Sequence, residues 1–257
     1  MKLSVVIPAY NEGERLGPTL ETVLAHLANR PGPAEVIVAD DGSGDDTAAV
    51  AAAFAARGVR LVRLPENRGK GAALRAGVAA SRGESVLLCD ADLSTPIEEV
   101  ERLEPLLATS EVVIGSRAVA ASEILVHQPR FREWMGRGFN RLLQAVGLAG
   151  FRDTQCGFKL LAGDRARELF ADLTIERFAF DVELLWLARS RGLRISEVGV
   201  RWAHSPASRV HPLRDSLNML CDVLALRWRA WLAGRRQNRA GRGSPRGRAG
   251  RPDGPAA

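Results

Sequence analysis

Two carboxylates one residue apart, Asp90 and Asp92, close an apolar run that begins Ser85-Val-Leu-Leu-Cys89. So short and continuous a run reads as a strand buried on both faces, the kind found in parallel sheets covered by helices. Carboxylates at the C-terminal edge of such a sheet stand where ligands of open α/β folds bind. No core neutralises them there, so a divalent cation with oxygen ligands is the natural partner, with a diphosphate on its far side.

The other early strands end in the same manner. Pro8-Ala-Tyr-Asn-Glu12 follows the first, Asp40-Asp41-Gly42-Ser43 the second and Asn67-Arg-Gly-Lys70-Gly71 the third. One such end is ordinary turn chemistry. Four in succession on neighbouring strands describe a single concave site.

The elements that position these ends alternate. Strands are expected at 2–8, 35–39, 59–64, 85–89, 111–115 and 195–200, and helices at about 11–27, 45–57, 69–81, 96–107, 129–146, 164–170 and 181–190. Asn11 suits the N-cap of the first helix. Residues 153–161 read as a loop entering a strand. Alternation of this kind means right-handed βαβ units, an α/β fold with one mostly parallel sheet.

With 257 residues, 46% of them apolar, the chain can cover a substantial core. Its net charge of +6 is concentrated in the last 23 residues, where seven arginines face only Asp253. The body is therefore close to neutral, which argues against a specific nucleic-acid partner. Residues 235–257, rich in Arg, Gly and Pro, are expected to be a disordered basic tail.

Residues 213–234 form a further helix, with Leu213, Leu217, Leu220, Leu224, Trp228 and Trp231 on one stripe. Docking on the body explains it, and so does an interfacial helix beside a polybasic tail; the two are compatible. Cys89, Cys156 and Cys221 have neither zinc-knuckle nor paired spacing, and the first strand has no leader before it, which points to a reducing cytoplasm. No apolar run is long enough to span a bilayer, so membrane contact, at the inner face, is peripheral. The sequence leaves open whether the chain dimerises through the C-terminal helix.

These strand ends, taken together, resemble the inverting nucleotide-sugar transferases of the GT-A fold. The motif Asp153-Thr-Gln-Cys-Gly-Phe-Lys159, with Arg177-Phe-Ala-Phe-Asp-Val-Glu-Leu184, is similar to the branch that holds dolichyl-phosphate glucosyltransferase. The resemblance covers residues 3–232 and places the catalytic domain at 1–212. It implies transfer of glucose or a related hexose from a UDP-sugar to a polyprenyl phosphate, with Mg²⁺ or Mn²⁺.

Carried onto this sequence, the resemblance has Pro8, Tyr10, Asn11 and Glu12 line the nucleoside and Asp41 hold its base or ribose. Lys70 reaches the uracil or diphosphate edge, and Asp90, Ala91 and Asp92 take the diphosphate through a metal held by Asp90 and Asp92. Ser94 stands where the mannosyl branch carries a further polar ligand, so few protein groups hold the ion. Arg117, Arg130 and Arg132 are candidates for the acceptor phosphate. Gln155 lies near the sugar, and Asp181 is the candidate general base; Asp181 and Glu183 can instead orient the sugar or an arginine.

Three other readings are compatible with parts of the pattern. A transferase of the same fold acting on a small hydroxylated acceptor would need Asp181 as base. A sugar nucleotidyltransferase would carry a basic Gly-rich run directly after the first strand, where Ala9-Tyr-Asn-Glu12 stands. A non-enzymatic adaptor would act through the tail alone.

Overall fold

A computed structural model describes residues 1–126, 138, 150–204, 218–226 and 228. Seven strands make the main sheet: β1 (Leu3–Ala9), β2 (Ala34–Asp40), β3 (Val59–Arg63), β4 (Ser85–Leu88), β5 (Val112–Ser116), β7 (Lys159–Ala162) and β8 (Ile195–Gly199). Their order is β3-β2-β1-β4-β7-β5-β8, and every pairing is parallel except those of β7. The short strands β6 (Glu123–Val126) and β9 (Arg201–Ala203) pair with each other in a second sheet.

Alternation along each strand divides the core in two. Leu3, Val5 and Ile7 of β1 join Val36, Val38 and Leu87 on one face, while Val6, Ile37, Val86 and Leu88 face the other way. Helices α1 (Gly13–Ala28) and α2 (Thr47–Ala53) cover the first face through Leu16, Leu20, Val23 and Ala51. Helices α3 (Lys70–Ala80), α5 (Gly163–Asp172) and α6 (Phe180–Ser190) cover the second, with Leu74, Leu169 and Leu184 among the buried contacts. Both faces being covered, apolar residues fill most positions of β1, β2, β4 and β5.

The sheet is mostly parallel as expected, and the strand entered from loop 153–158 is inserted antiparallel between β4 and β5. The helix expected at 96–107 is three short pieces, Ile97–Glu99, α4 (Val100–Leu103) and Glu104–Ala108. Pro105 has no N–H to continue the ladder. Residues 213–217, 227 and 229–234 of the expected C-terminal helix lie outside the described residues, as do Arg130, Arg132, the stretch 129–146 apart from residue 138, and the basic tail.

Residues 218–226 are helical. Met219 and Val223 enter the core. Of the apolar stripe, Leu220 is half-buried, and Leu224 and Trp228 are 53% and 61% exposed.

Candidate active site

The C-terminal ends of β1, β2 and β4 and the start of β7 converge at one edge of the sheet, because β7 enters where its neighbours leave. Lys159 is opposite both Leu88 and Ile114. This reversal brings the loop 153–158 beside Asp90.

The first two loops hold each other. Asn11 is not the cap of α1: it sits at φ 53°, its N–H donates to Ser43 Oγ (2.9 Å) and its Oδ1 accepts from Gly44 N–H (2.9 Å). The orphan amides at the start of α1 are instead met by the following loop, Glu12 N–H by Thr47 Oγ1 (2.7 Å) and Gly13 N–H by Asp45 Oδ2 (3.1 Å). Glu12 takes a two-pronged contact from Arg15. Tyr10, 41% exposed, stands at the rim, and Pro8 is half-buried on β1.

Asp41 is buried, and its oxygens accept from the N–H groups of Arg68 and Gly69 (2.8 Å each) and from Asn67 Nδ2 (2.9 Å). Burial raises its carboxyl, and Asp40 beside it adds to the effect, against the donors. This grip shapes the turn into α3. Gly69 is at φ +117°, and a Cβ there would lie 2.5 Å from the Glu176 carbonyl, so only glycine fits. The turn delivers Lys70 to the centre.

Lys70 Nζ donates to Asp90 Oδ1 at 2.6 Å. Burial works against the ammonium, but Asp90, Asp181 and Asp92 outweigh it, and Lys70 is pushed up to about 12. Burial likewise raises the Asp90 carboxyl, yet Lys70, with Lys159 and Arg117, holds it below its ordinary value. Asp92 accepts from Ser94 N–H at 2.9 Å. Ala91 is buried, its carbonyl accepting from Thr19 Oγ1 (2.6 Å), which ties the loop to α1.

Two carboxylates and no softer donor suit Mg²⁺ or Mn²⁺. The fit lies in the hard oxygen donors of Asp90 and Asp92; the other Asp90 oxygen lies over Gly157, where a Cβ would come within 2.0 Å of it. That closeness keeps the carboxylate at the sheet edge. Among the described residues no group of three His, Cys, Asp or Glu gathers to hold a metal unaided.

Asp181, at the start of α6, accepts from Lys159 Nζ at 2.6 Å, and Lys159 also donates to the Cys156 carbonyl at 2.5 Å. Burial raises the Asp181 carboxyl despite both lysines. Glu183 points elsewhere, accepting from Thr174 N–H and Oγ1 and from Ile175 N–H. Cys156 is buried, and burial pushes its thiol up, as suits a packed residue.

Arg117 is held by Asp153 through Nε (2.6 Å), Nη2 (2.9 Å) and its backbone N–H (3.0 Å), and stacks 5.5 Å from the Trp202 ring. Asp153 N–H in turn donates to Glu197 (2.8 Å), which also accepts from Ser116 Oγ. Gln155 donates its N–H to Asp153 (3.1 Å) and its side-chain amide to Met219 Sδ (3.5 Å). Sequence reasoning gave no role to Lys159, Gly157, Glu197 or Trp202. Lys159 carried a signal, a lone lysine in the apolar run Phe158-Lys-Leu-Leu161.

Burial would raise the Asp153 carboxyl, but the Arg117 charge and hydrogen bonds bring it down to about 2. A depressed carboxyl stabilises the fold above its unfolded value, and that stability is lost as pH falls through the folded one. The pair therefore contributes about 2 kcal/mol that disappears between about pH 4 and 2. Urea unfolding across that window should show a shallower acid loss in Asp153→Asn than in the natural chain.

Residues 4–168 match the family model Glycosyl transferase family 2. The chain belongs to that family. Within it, the chain is 41% identical over 244 residues to a mouse protein named dolichyl-phosphate beta-glucosyltransferase, covering 89% of this chain and 75% of that one. The human protein of that name is 40% identical over the same shares. The yeast one is 32% identical over 253 residues, 90% of this chain and 75% of its own.

Among solved structures, glucosyl-3-phosphoglycerate synthase of Mycobacterium tuberculosis superposes with a TM-score of 0.67 at 25% identity, over 88% of this chain and 80% of that one. The same synthase crystallised with Mn²⁺, UDP and glucosyl-3-phosphoglycerate gives 0.62 at 26% identity, over 87% and 77%. This family-2 glycosyltransferase thus has the GT-A fold, and its Asp90–Lys70 centre belongs to a fold crystallised elsewhere with a divalent ion and UDP.

Proposed function

We propose that the chain transfers glucose from UDP-glucose to the phosphate of a polyprenyl phosphate of the dolichyl type, with inversion at the anomeric carbon. The observation that carries this reading is the 41% identity to a dolichyl-phosphate beta-glucosyltransferase across 89% of the chain. Pro8, Tyr10, Asn11, Glu12 and Asp41 line or shape the nucleoside side, and Lys70 faces the diphosphate. Asp90 and Asp92 hold Mg²⁺ or Mn²⁺, which when bound neutralises charge growing on the departing UDP.

Inversion requires the acceptor oxygen to approach in line, and holding both substrates in that geometry supplies much of the rate. A phosphomonoester has a second pKa of about 6 and is already anionic at neutral pH, so it needs no base. Asp181, fixed by Lys159, then orients the sugar. Lys70, Lys159 and Arg117 each already have a carboxylate partner. Arg130 and Arg132, with Arg117, are the arginines proposed to take the acceptor phosphate. Leu224 and Trp228, with the basic tail, rest on the inner membrane surface where such an acceptor resides. No helix among the described residues is long and apolar enough to cross a membrane.

A second reading, a small soluble acceptor, is favoured by the match to the phosphoglycerate synthase. The pH profile of kcat/KM for Asp181→Asn separates the two. With a phosphate acceptor, the acid limb near pH 6 belongs to the substrate and survives in the variant. Loss of that limb, with a fall of roughly 10³-fold, would make Asp181 a base and favour a hydroxyl acceptor.

A further inference from the structure

Lys159 is fully buried, between Leu88 and Ile114 on the strands that flank it. A charge in such a place is costly unless it is paired and hydrogen-bonded. Its ammonium has three donors. One reaches Asp181 Oδ1 at 2.6 Å and one the Cys156 carbonyl at 2.5 Å. These two partners lie on different elements, the loop 153–158 and the start of α6. The Cys156 carbonyl is in the peptide that leads into Gly157, the residue lying so close under Asp90 that a Cβ would be 2.0 Å from Oδ2. Asp181 opens α6 and acts electrostatically on Lys70, the partner of Asp90.

We propose that Lys159 is a positioning residue: from beneath the sheet edge it fixes both the Gly157 floor on which the metal-binding carboxylate Asp90 rests and the orientation of Asp181 on the sugar side. The inference rests on the metal-dependent reading above and adds that ion affinity depends on a side chain that never touches the ion. Lys159 is bonded to both halves, so its loss frees the 156–157 peptide to shift. Asp90 then loses the surface that holds its second oxygen in place.

The test is calorimetric titration of Mn²⁺ into each protein in the presence of saturating UDP, so that no turnover is needed. Lys159→Met leaves Asp181 buried without a partner and can fail to fold. The neutral pair Lys159→Met with Asp181→Asn removes both charges, and Asp181→Asn alone is its control. The double variant should fold, with a thermal midpoint at or above that of the single Asp181→Asn, which leaves the buried Lys159 charge without its carboxylate. It should nevertheless bind Mn²⁺ at least about tenfold more weakly than that single variant, the scale on which outer-shell partners tune metal sites. Lys159→Arg, which keeps the charge and donors, should recover part of the affinity. Equal Mn²⁺ affinity in the double and single variants overturns the inference and reduces Lys159 to a stabilising ion pair. If the natural chain itself shows no Mn²⁺-dependent UDP binding, the functional reading fails, and the inference with it.

Discussion

Asp92→Asn is expected to lower glucose transfer at least about 10²-fold while leaving the fold in place. An asparagine oxygen can still accept the Ser94 N–H that Asp92 accepts at 2.9 Å, so the loop after β4 keeps its bond. What disappears is one of the two carboxylates proposed to hold the ion, and among the described residues no group of three His, Cys, Asp or Glu gathers to replace it. With so few protein ligands, removing one charge leaves Asp90 alone, and Asp90 already shares an oxygen with Lys70. The check is twofold. The thermal midpoint of the apo variant should match that of the natural chain, and the extra stabilisation given by UDP with Mn²⁺ should vanish. A variant that retains both the stabilisation and turnover would remove Asp92 from the metal site.

Gly157→Ala should be nearly as damaging, for a geometric reason. The new Cβ would stand 2.0 Å from Asp90 Oδ2 and 2.5 Å from its Cγ, closer than any atoms can remain. The atom that yields is the end of a side chain rather than backbone, so the cost falls on the position of the carboxylate more than on the fold. A displacement of about 1 Å at a reacting constellation can cost about 10²-fold in rate. Steady-state transfer and thermal unfolding of the purified variant, measured side by side, should show kcat/KM falling by that order with a small change in midpoint. Unchanged kcat/KM would mean that Asp90 has room to move without consequence.

Much of this site was legible before the fold was known. Apolar strands buried on both faces leave their polar residues at one edge, so Asp41, Lys70, Asp90 and Asp92 could be placed together from chain order and strand type alone. Residue type could not give direction: Lys159-Leu-Leu-Ala162 looks the same whichever way it runs, and its antiparallel course between β4 and β5 is visible only in the fold. That reversal is what puts Gly157 and Lys159 under the carboxylates.

Asn11 shows another limit. Its type suits a helix cap, yet the capping of α1 is done by Asp45 and Thr47 from the next loop, a tertiary choice that leaves Asn11 free to turn left-handed and bind Gly44. Glu183 and Asp181 are two residues apart and chemically alike, but on a helix such residues point to different sides. One braces Thr174 while the other meets Lys159. The buried lysine was the strongest unread signal, since a lone ammonium in an apolar strand demands a carboxylate, and Asp181 is that partner.

The most direct measurement supplies the purified chain with radiolabelled UDP-glucose, Mn²⁺ and dolichyl phosphate in detergent, and extracts the products into organic solvent. Label should move into the lipid phase as a β-linked glucosyl phosphate ester, only when metal is present, and phosphoglycerate should not compete for it. Label that remains in the aqueous phase, or that passes to phosphoglycerate instead, would contradict lipid phosphate as the acceptor.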